Sequence, residues 1–159
     1  AQIVLMKHSQ AMSAYQRIQG FIDTIKEHPQ YQIVGSGECK GQLELSMPIV
    51  EEMIYKGLDF NVIMALNDPA AMGCLAALQE AGREGVTVYG IDGTPETKQL
   101  IAIDKMHGTI AQSPLTIAKK AVESAYDLLN DEKVDKEQII PVSLITKENI
   151  EDYNLEGWQ

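Results

Sequence analysis

The chain has 159 residues, 45% of them hydrophobic, with 13 Lys plus Arg against 23 Asp plus Glu and a formal net charge of -10. That length holds one well-packed domain with a short excursion into a second and excludes a complete two-lobed enzyme. The acidity, spread over both halves, repels phosphate backbones and anionic lipid, so no direct nucleic-acid contact is expected. Two cysteines, Cys39 and Cys74, are too few for a disulfide scaffold and lack metal-ligand spacing. No basic segment precedes an apolar run, and no stretch approaches the roughly 18 uncharged apolar residues of a membrane span.

Taken in order, Gln2 to Met6 reads as a buried strand, a segment entered from earlier chain. Further apolar or β-branched runs predict strands at 31–35, 60–66, 86–91, 107–111 and 139–145. Between them, apolar residues at three- and four-residue intervals predict helices over 12–28, 43–56, 69–81, 95–104 and 114–130. Continuous apolar strands alternating with amphipathic helices give an α/β fold, a doubly wound, mostly parallel sheet with helices on both faces. The only boundary worth drawing lies near Gln112-Ser113.

Three strand ends share one construction: Asn67-Asp68-Pro69, Asp92-Gly93-Thr94-Pro95 and Gln112-Ser113-Pro114. Asp68, Thr94 and Ser113 are each expected to cap a helix by accepting an orphan amide, and the following proline has no N–H to waste in the first turn. Asn67, Asp92 and Gln112 then sit at the carboxyl ends of parallel strands, where open α/β sheets bind ligands. A carboxylate and two amides suit a polyhydroxylated ligand, although on pattern alone the capping of turns is the leading reading of Asn67 and Asp92. Tyr15, in the helix after the first strand, either packs on the sheet or reaches the same edge to stack on an apolar sugar face.

Other chemistry lacks its residues. There is no GxGxxG or GxxxxGK[ST]; Gly35-Ser36-Gly37 leads into Glu38 and reads as an ordinary turn after a strand. His8, His28 and His107 are scattered, and His28-Pro29 marks a helix end. Ser9 beside His8 has no elbow motif, and Glu51-Glu52 and Asp131-Glu132 read as solvated faces. No enzyme, cofactor or metal site is expected.

The runs Asn67 to Gly73, Tyr89 to Pro95 and Thr109 to Pro114, supported by Ser13 to Phe21 and Val142 to Ile150, resemble the ribose- and galactose-type periplasmic binding proteins, from about Ile3 to Tyr153. The resemblance implies two doubly wound lobes joined by crossing strands, a sugar or polyol closed between them, and delivery to an ABC permease in the membrane. It implies a periplasmic or extracellular location, with a signal peptide or lipid anchor in the full-length protein. Residues 1–111 would form the second lobe, 112–138 a crossover and a helix belonging to the first lobe, and 139–159 a return strand and tail. The first lobe would precede Ala1, making this chain a C-terminal fragment that binds sugar weakly or not at all.

Carried over by position, Asn67 and Asp92 match the sugar-hydroxyl contacts and Gln112 the hinge-side contact. The resemblance places Tyr15 where relatives present an arginine. Arg17 is expected to point away from Tyr15 and to be an uncertain substitute, and the Gly41 region lacks the aromatic wall of ribose-type members. The apolar stripe Ala118, Ala121, Val122, Ala125, Leu128 and Leu129 is expected either to pack back on its own lobe or to join a second copy as a homodimer. The rival reading is the effector-binding domain of a LacI-type transcription regulator, which shares the fold.

Overall fold

The structure, a computed structural model, describes residues 1–159. Its strands are β1 (Gln2–Lys7), β2 (Gln32–Glu38), β3 (Val62–Ala65), β4 (Thr87–Asp92), β5 (Gly108–Ala111) and β6 (Ser143–Thr146). They form one sheet in the order β2-β1-β3-β4-β5-β6, parallel except for the antiparallel β5–β6 pair. Helices α1 (Met12–Lys26), α2 (Leu43–Tyr55), α3 (Asp68–Glu80), α4 (Pro95–Ala102) and α5 (Pro114–Leu129) alternate with them, and a single 3-10 turn spans Ile150–Asp152. This is the mixed, mostly parallel sheet flanked by helices on both faces that the alternation predicts. Ile3, Val4, Leu5 and Met6 are all buried, because a central parallel strand is covered on both sides.

The helix starts follow from their caps. Thr94 and Ser113 accept the Thr97 and Thr116 amides, as expected, but α3 is capped one residue early: Asn67 Oδ1 accepts the Ala70 N–H at 3.0 Å. Asp68, displaced into the first turn, is fully buried and points into the sheet. Helix α1 stops at Lys26, with His28 and Pro29 beyond it.

Two strands differ from expectation. β2 runs on through Gly35-Ser36-Gly37 to Glu38, so these glycines are strand and not turn. A Cβ on Gly35 would sit 3.0 Å from Leu58 Cδ2, and one on Gly37 would collide with Ile49; the missing side chains admit the aliphatic layer of α2 and the residues just after it. β6 begins at Ser143, four residues late, because Pro141 supplies no amide and Ile139 and Val142 are exposed.

The tightest helix contact is α2 against α3. Gly73 lies against the Leu43 backbone and Ser46, and a Cβ there would overlap Ser46 Oγ and approach the Leu43 carbonyl carbon to 3.1 Å. Gly73→Ala is therefore expected to destabilise the chain by about 1–3 kcal/mol, the usual cost of overpacking, as read from urea unfolding.

Helix α5 does not pack back on its own lobe. None of its residues is buried, and Leu115, Val122, Tyr126, Leu128 and Leu129 are exposed.

Candidate functional site

The strand order reverses direction at β1, with β2 on one side and β3 on the other, so a crevice opens at the carboxyl ends of β1 and β3. Four neighbouring strands deliver side chains to that rim. Arg17 comes from α1, which follows β1; Asn67 follows β3; Asp92 ends β4; Gln112 follows β5.

Asp92 is the centre. Its Oδ1 accepts from Arg17 Nη1 at 3.1 Å and from Gln112 Nε2 at 2.7 Å, while Oδ2 takes no hydrogen bond from the chain and is not sealed from solvent. The same Arg17 nitrogen donates to the Leu66 carbonyl at 3.0 Å, which ties α1 across the crevice to the end of β3. The other guanidinium nitrogens have no partner in the chain. Burial raises the Asp92 carboxyl above its ordinary range against the opposing pull of Arg17, with the nearby Asp68 charge adding to the rise. A charge-assisted pair that is partly shielded from water and keeps one free oxygen and free N–H groups suits neighbouring ligand hydroxyls.

Asn67 has less to offer than its amide promises. Oδ1 is spent on the Ala70 amide, and Nδ2 donates to the Gly41 carbonyl at 3.0 Å, leaving one N–H for a ligand. Gly41 adopts φ +72°, and a Cβ there would stand 2.8 Å from Asn67 Nδ2. The position without an aromatic wall is thus filled by a backbone carbonyl that fixes the Asn67 amide.

Tyr15 makes no hydrogen bond to Asp92, Asn67 or Gln112. It is half exposed and lines a hollow of about 100 Å³ with Lys7, His8, Ser9 and Ile18. Arg17, two residues on and so on the opposite side of the helix, is the α1 side chain that meets Asp92. Ser9 does meet a carboxylate: Glu38 accepts from the Ser9 hydroxyl and, at 3.0 Å, from its amide, and pairs with Lys7 at 3.5 Å. These bonds, the hydroxyl first, hold the Glu38 carboxyl below its ordinary range. His8 takes no part, so the cluster is a clasp between β1 and β2.

Beneath the rim lies a polar core that sequence reasoning missed. Asp68 Oδ2 accepts the Thr94 amide at 2.8 Å and Oδ1 accepts the Thr109 hydroxyl at 2.7 Å; Thr109 Oγ1 in turn accepts the Gly93 amide at 3.1 Å. Burial raises the Asp68 carboxyl even though its hydrogen bonds from Thr109 and Thr94 oppose the shift. The network grips the residues that follow Asp92, whose backbone has φ +134°, a conformation that costs an L residue roughly 1–3 kcal/mol and persists only where its surroundings impose it. The signal was Gly90: a Cβ there would strike Asp68 Oδ1, so the two positions belong together.

Another hollow, of about 700 Å³, opens at the opposite end of the strands between α3 and α4. Three of its polar side chains are already engaged: Arg83 donates to the Phe60 carbonyl and covers the Phe60 ring, His107 accepts from the Val88 amide, and Asp104 pairs with Lys147. Both thiols are buried, which pushes Cys39 and Cys74 upward and leaves them inert.

Residues 1–133 match the periplasmic binding protein domain family. The ribose import binding protein of Escherichia coli is 31% identical over 136 residues, which cover 86% of this chain and 46% of that protein. The D-apiose import binding protein of Paraburkholderia graminis is 30% identical, covering 84% and 43%. Among solved structures, a solute binding protein of an ABC transporter from Bacillus halodurans with bound myo-inositol superposes with a TM-score of 0.90 at 28% identity, over 96% of this chain and 53% of that one. A periplasmic solute binding protein from Actinobacillus succinogenes with bound D-allose gives 0.92 at 25% identity, over 96% and 55%. The chain spans about half the length of the proteins it matches.

Proposed function

Because the chain belongs to the periplasmic binding protein family, whose members hold solutes without transforming them, we propose that it carries one wall of a sugar or polyol site, built from Arg17, Asn67, Asp92 and Gln112. The carrying observation is the half-satisfied Asp92 carboxylate, paired on one oxygen and free on the other at the crevice where the strand order reverses. Tyr15, which lines the hollow beside Lys7, His8 and Ser9 at the end of β1, is left out of that wall because no hydrogen bond links it to the Asp92 cluster. Relatives with bound D-allose and myo-inositol support a neutral, hydroxyl-rich ligand, and hydroxyls fit the donors and acceptors left unpaired.

In this reading residues 1–111 supply one lobe, and Gln112 and the segment after it cross toward a companion lobe. The apolar face of α5 belongs against that companion. The whole protein would work outside the cytoplasmic membrane and hand its ligand to an ABC permease. No chemistry is done on the ligand; closure replaces its hydration with fixed polar groups.

The test is titration of the chain with D-allose, myo-inositol and D-ribose followed by amide NMR. Weak, saturable shifts gathered at Arg17, Asn67, Asp92 and Gln112 are expected for at least one of them. Shifts absent from all four residues, or centred on the α3–α4 hollow, would refute the assignment. Asp92→Ala is expected to cost about 2 kcal/mol of affinity, some thirtyfold, because it strands Arg17 and Gln112 as well as removing the acceptor.

A further inference from the structure

We propose, building on the reading of the rim as a ligand site, that Asn154–Gln159 is a strap that sets the backbone of Asp92 and Gln112, with Gln159 as a positioning residue and Lys98 as its anchor. Lys98, on α4, is fully buried, and no carboxylate pairs with it. Its ammonium donates to the Asn154 and Gly157 carbonyls and, at 3.3 Å, to Gln159 Oε1. A buried ammonium needs oxygens in place of its hydration shell; all three come from this one six-residue segment. Burial accordingly lowers the Lys98 pKa from its ordinary value.

The far end of the strap lies under the rim. Gln159 Nε2 donates to the Gln112 carbonyl at 2.6 Å and to the Asp92 carbonyl at 3.3 Å. These are the main-chain groups of the two residues whose side chains share the 2.7 Å bond. The Asp92 carbonyl also accepts the Gln112 amide at 3.2 Å, so the Gln159 amide completes a small ring around the two backbones. Gly93 leaves the opening for it, since a Cβ there would run into Gln159 Nε2 and Ala111. Asp92 sits at φ +134° and must be held there. The Asp68 network grips it through Gly93 and Thr94, and the strap grips it from the other side. Without Gln159 the Asp92 backbone gains freedom to relax, and its carboxylate turns from the line that Arg17 and Gln112 define.

The experiment uses the 159-residue chain with Gln159→Ala, Gln159→Glu and Lys98→Met, read by amide hydrogen exchange, the HN–Hα coupling of Asp92 and titration with myo-inositol. Gln159→Ala is expected to raise exchange at the Gln112 amide by about tenfold and to change the Asp92 coupling, with the Ile91 and Val88 amides unaltered. Gln159→Glu keeps the shape and the oxygen that faces Lys98 but, once ionised, sets an acceptor in place of the Nε2 donor against the Gln112 and Asp92 carbonyls, so at the rim it should behave like the alanine variant; a wild-type pattern there would mean packing alone and overturn the proposal. Lys98→Met should speed exchange along Asn154–Gly157 together with Gln112, and if it fails to fold the two Gln159 variants decide. Unchanged coupling and exchange in both of them overturn the strap whatever the sugar does. Altered backbone signals in a chain whose Arg17, Asn67 and Asp92 never respond to any sugar leave the strap standing and remove the ligand reading.

Discussion

Replacing Asp68 by Ala is expected to lower stability by about 3 kcal/mol, a fall in melting temperature of about 6–12 °C for a chain of this size. The loss has a definite origin. The substitution strands the Thr94 amide and the Thr109 hydroxyl, both buried, by removing the carboxylate oxygens 2.8 and 2.7 Å away. It also loosens the Gly93 amide, which rests on the same Thr109 oxygen, and so disturbs the strained backbone at Asp92. Asp68→Asn should cost less: its oxygen can still take the Thr94 amide, and its NH2 can donate to Thr109 if that hydroxyl rotates.

The two variants separate in pH. Burial raises the Asp68 carboxyl above the ordinary 3.8. Between that value and the raised one, the folded chain keeps a proton that the unfolded chain has released. Its contribution to stability is therefore full below the unfolded pKa, falls as pH rises through the window, and is flat above it. Asn does not titrate, so the deficit of Asp68→Asn relative to wild type should shrink as pH rises through the same window and then hold steady. Urea unfolding at intervals from pH 3.5 to about 7 measures it. A deficit that grows with pH would mean that Asp68 is stabilised as the anion and that the hydrogen bonds outweigh its burial.

Asp68 also marks the limit of what the sequence discloses. Strand and helix alternation was legible because period, cap and proline are local signals, and the starts of α4 and α5 fall where Thr94 and Ser113 place them. Asn67-Asp68-Pro69 carries two capping residues in a row, and either assignment satisfies local chemistry. The choice was made by Gly90 and Thr109, which are 22 and 41 residues away and have room and a hydroxyl for a buried carboxylate. The glycines of β2 misled for the same reason: their turn propensity is local, whereas the need to admit Ile49 and Leu58 arises only on packing. At the rim, Asn67, Asp92 and Gln112 were placed by topology, since strand ends in a parallel sheet share an edge. Which face of α1 looks toward them depends on how that helix lies on β1, and it is Arg17 that the structure brings to Asp92, while Tyr15 lines the hollow beside Lys7, His8 and Ser9. The strap of residues 154–159 carries no motif at all, and a lone Lys98 in a short helix reads as solvent-facing until its oxygens arrive from the far end of the chain.

Helix α5 carries the remaining large effect. Leu115, Ala118, Val122, Ala125 and Leu129 recur at intervals of three and four, a seam that alternates large and small residues, and none of them is covered. A helix of 16 residues is marginal in water by itself, and each exposed large side chain forgoes about 1.5 kcal/mol or more of burial. The seam therefore calls for an opposing surface: a companion lobe in a longer protein, a second copy in a solution of this chain. Sedimentation velocity is expected to show association that grows with concentration, and the pair Val122→Lys and Leu129→Lys should abolish it. Because α5 contributes no buried residue to the sheet, the same pair should leave the urea unfolding of the lobe within about 0.5 kcal/mol of wild type. A wild-type chain that stays monomeric at every concentration would remove the homodimer. A loss of several kcal/mol in the double variant would place α5 against its own lobe after all.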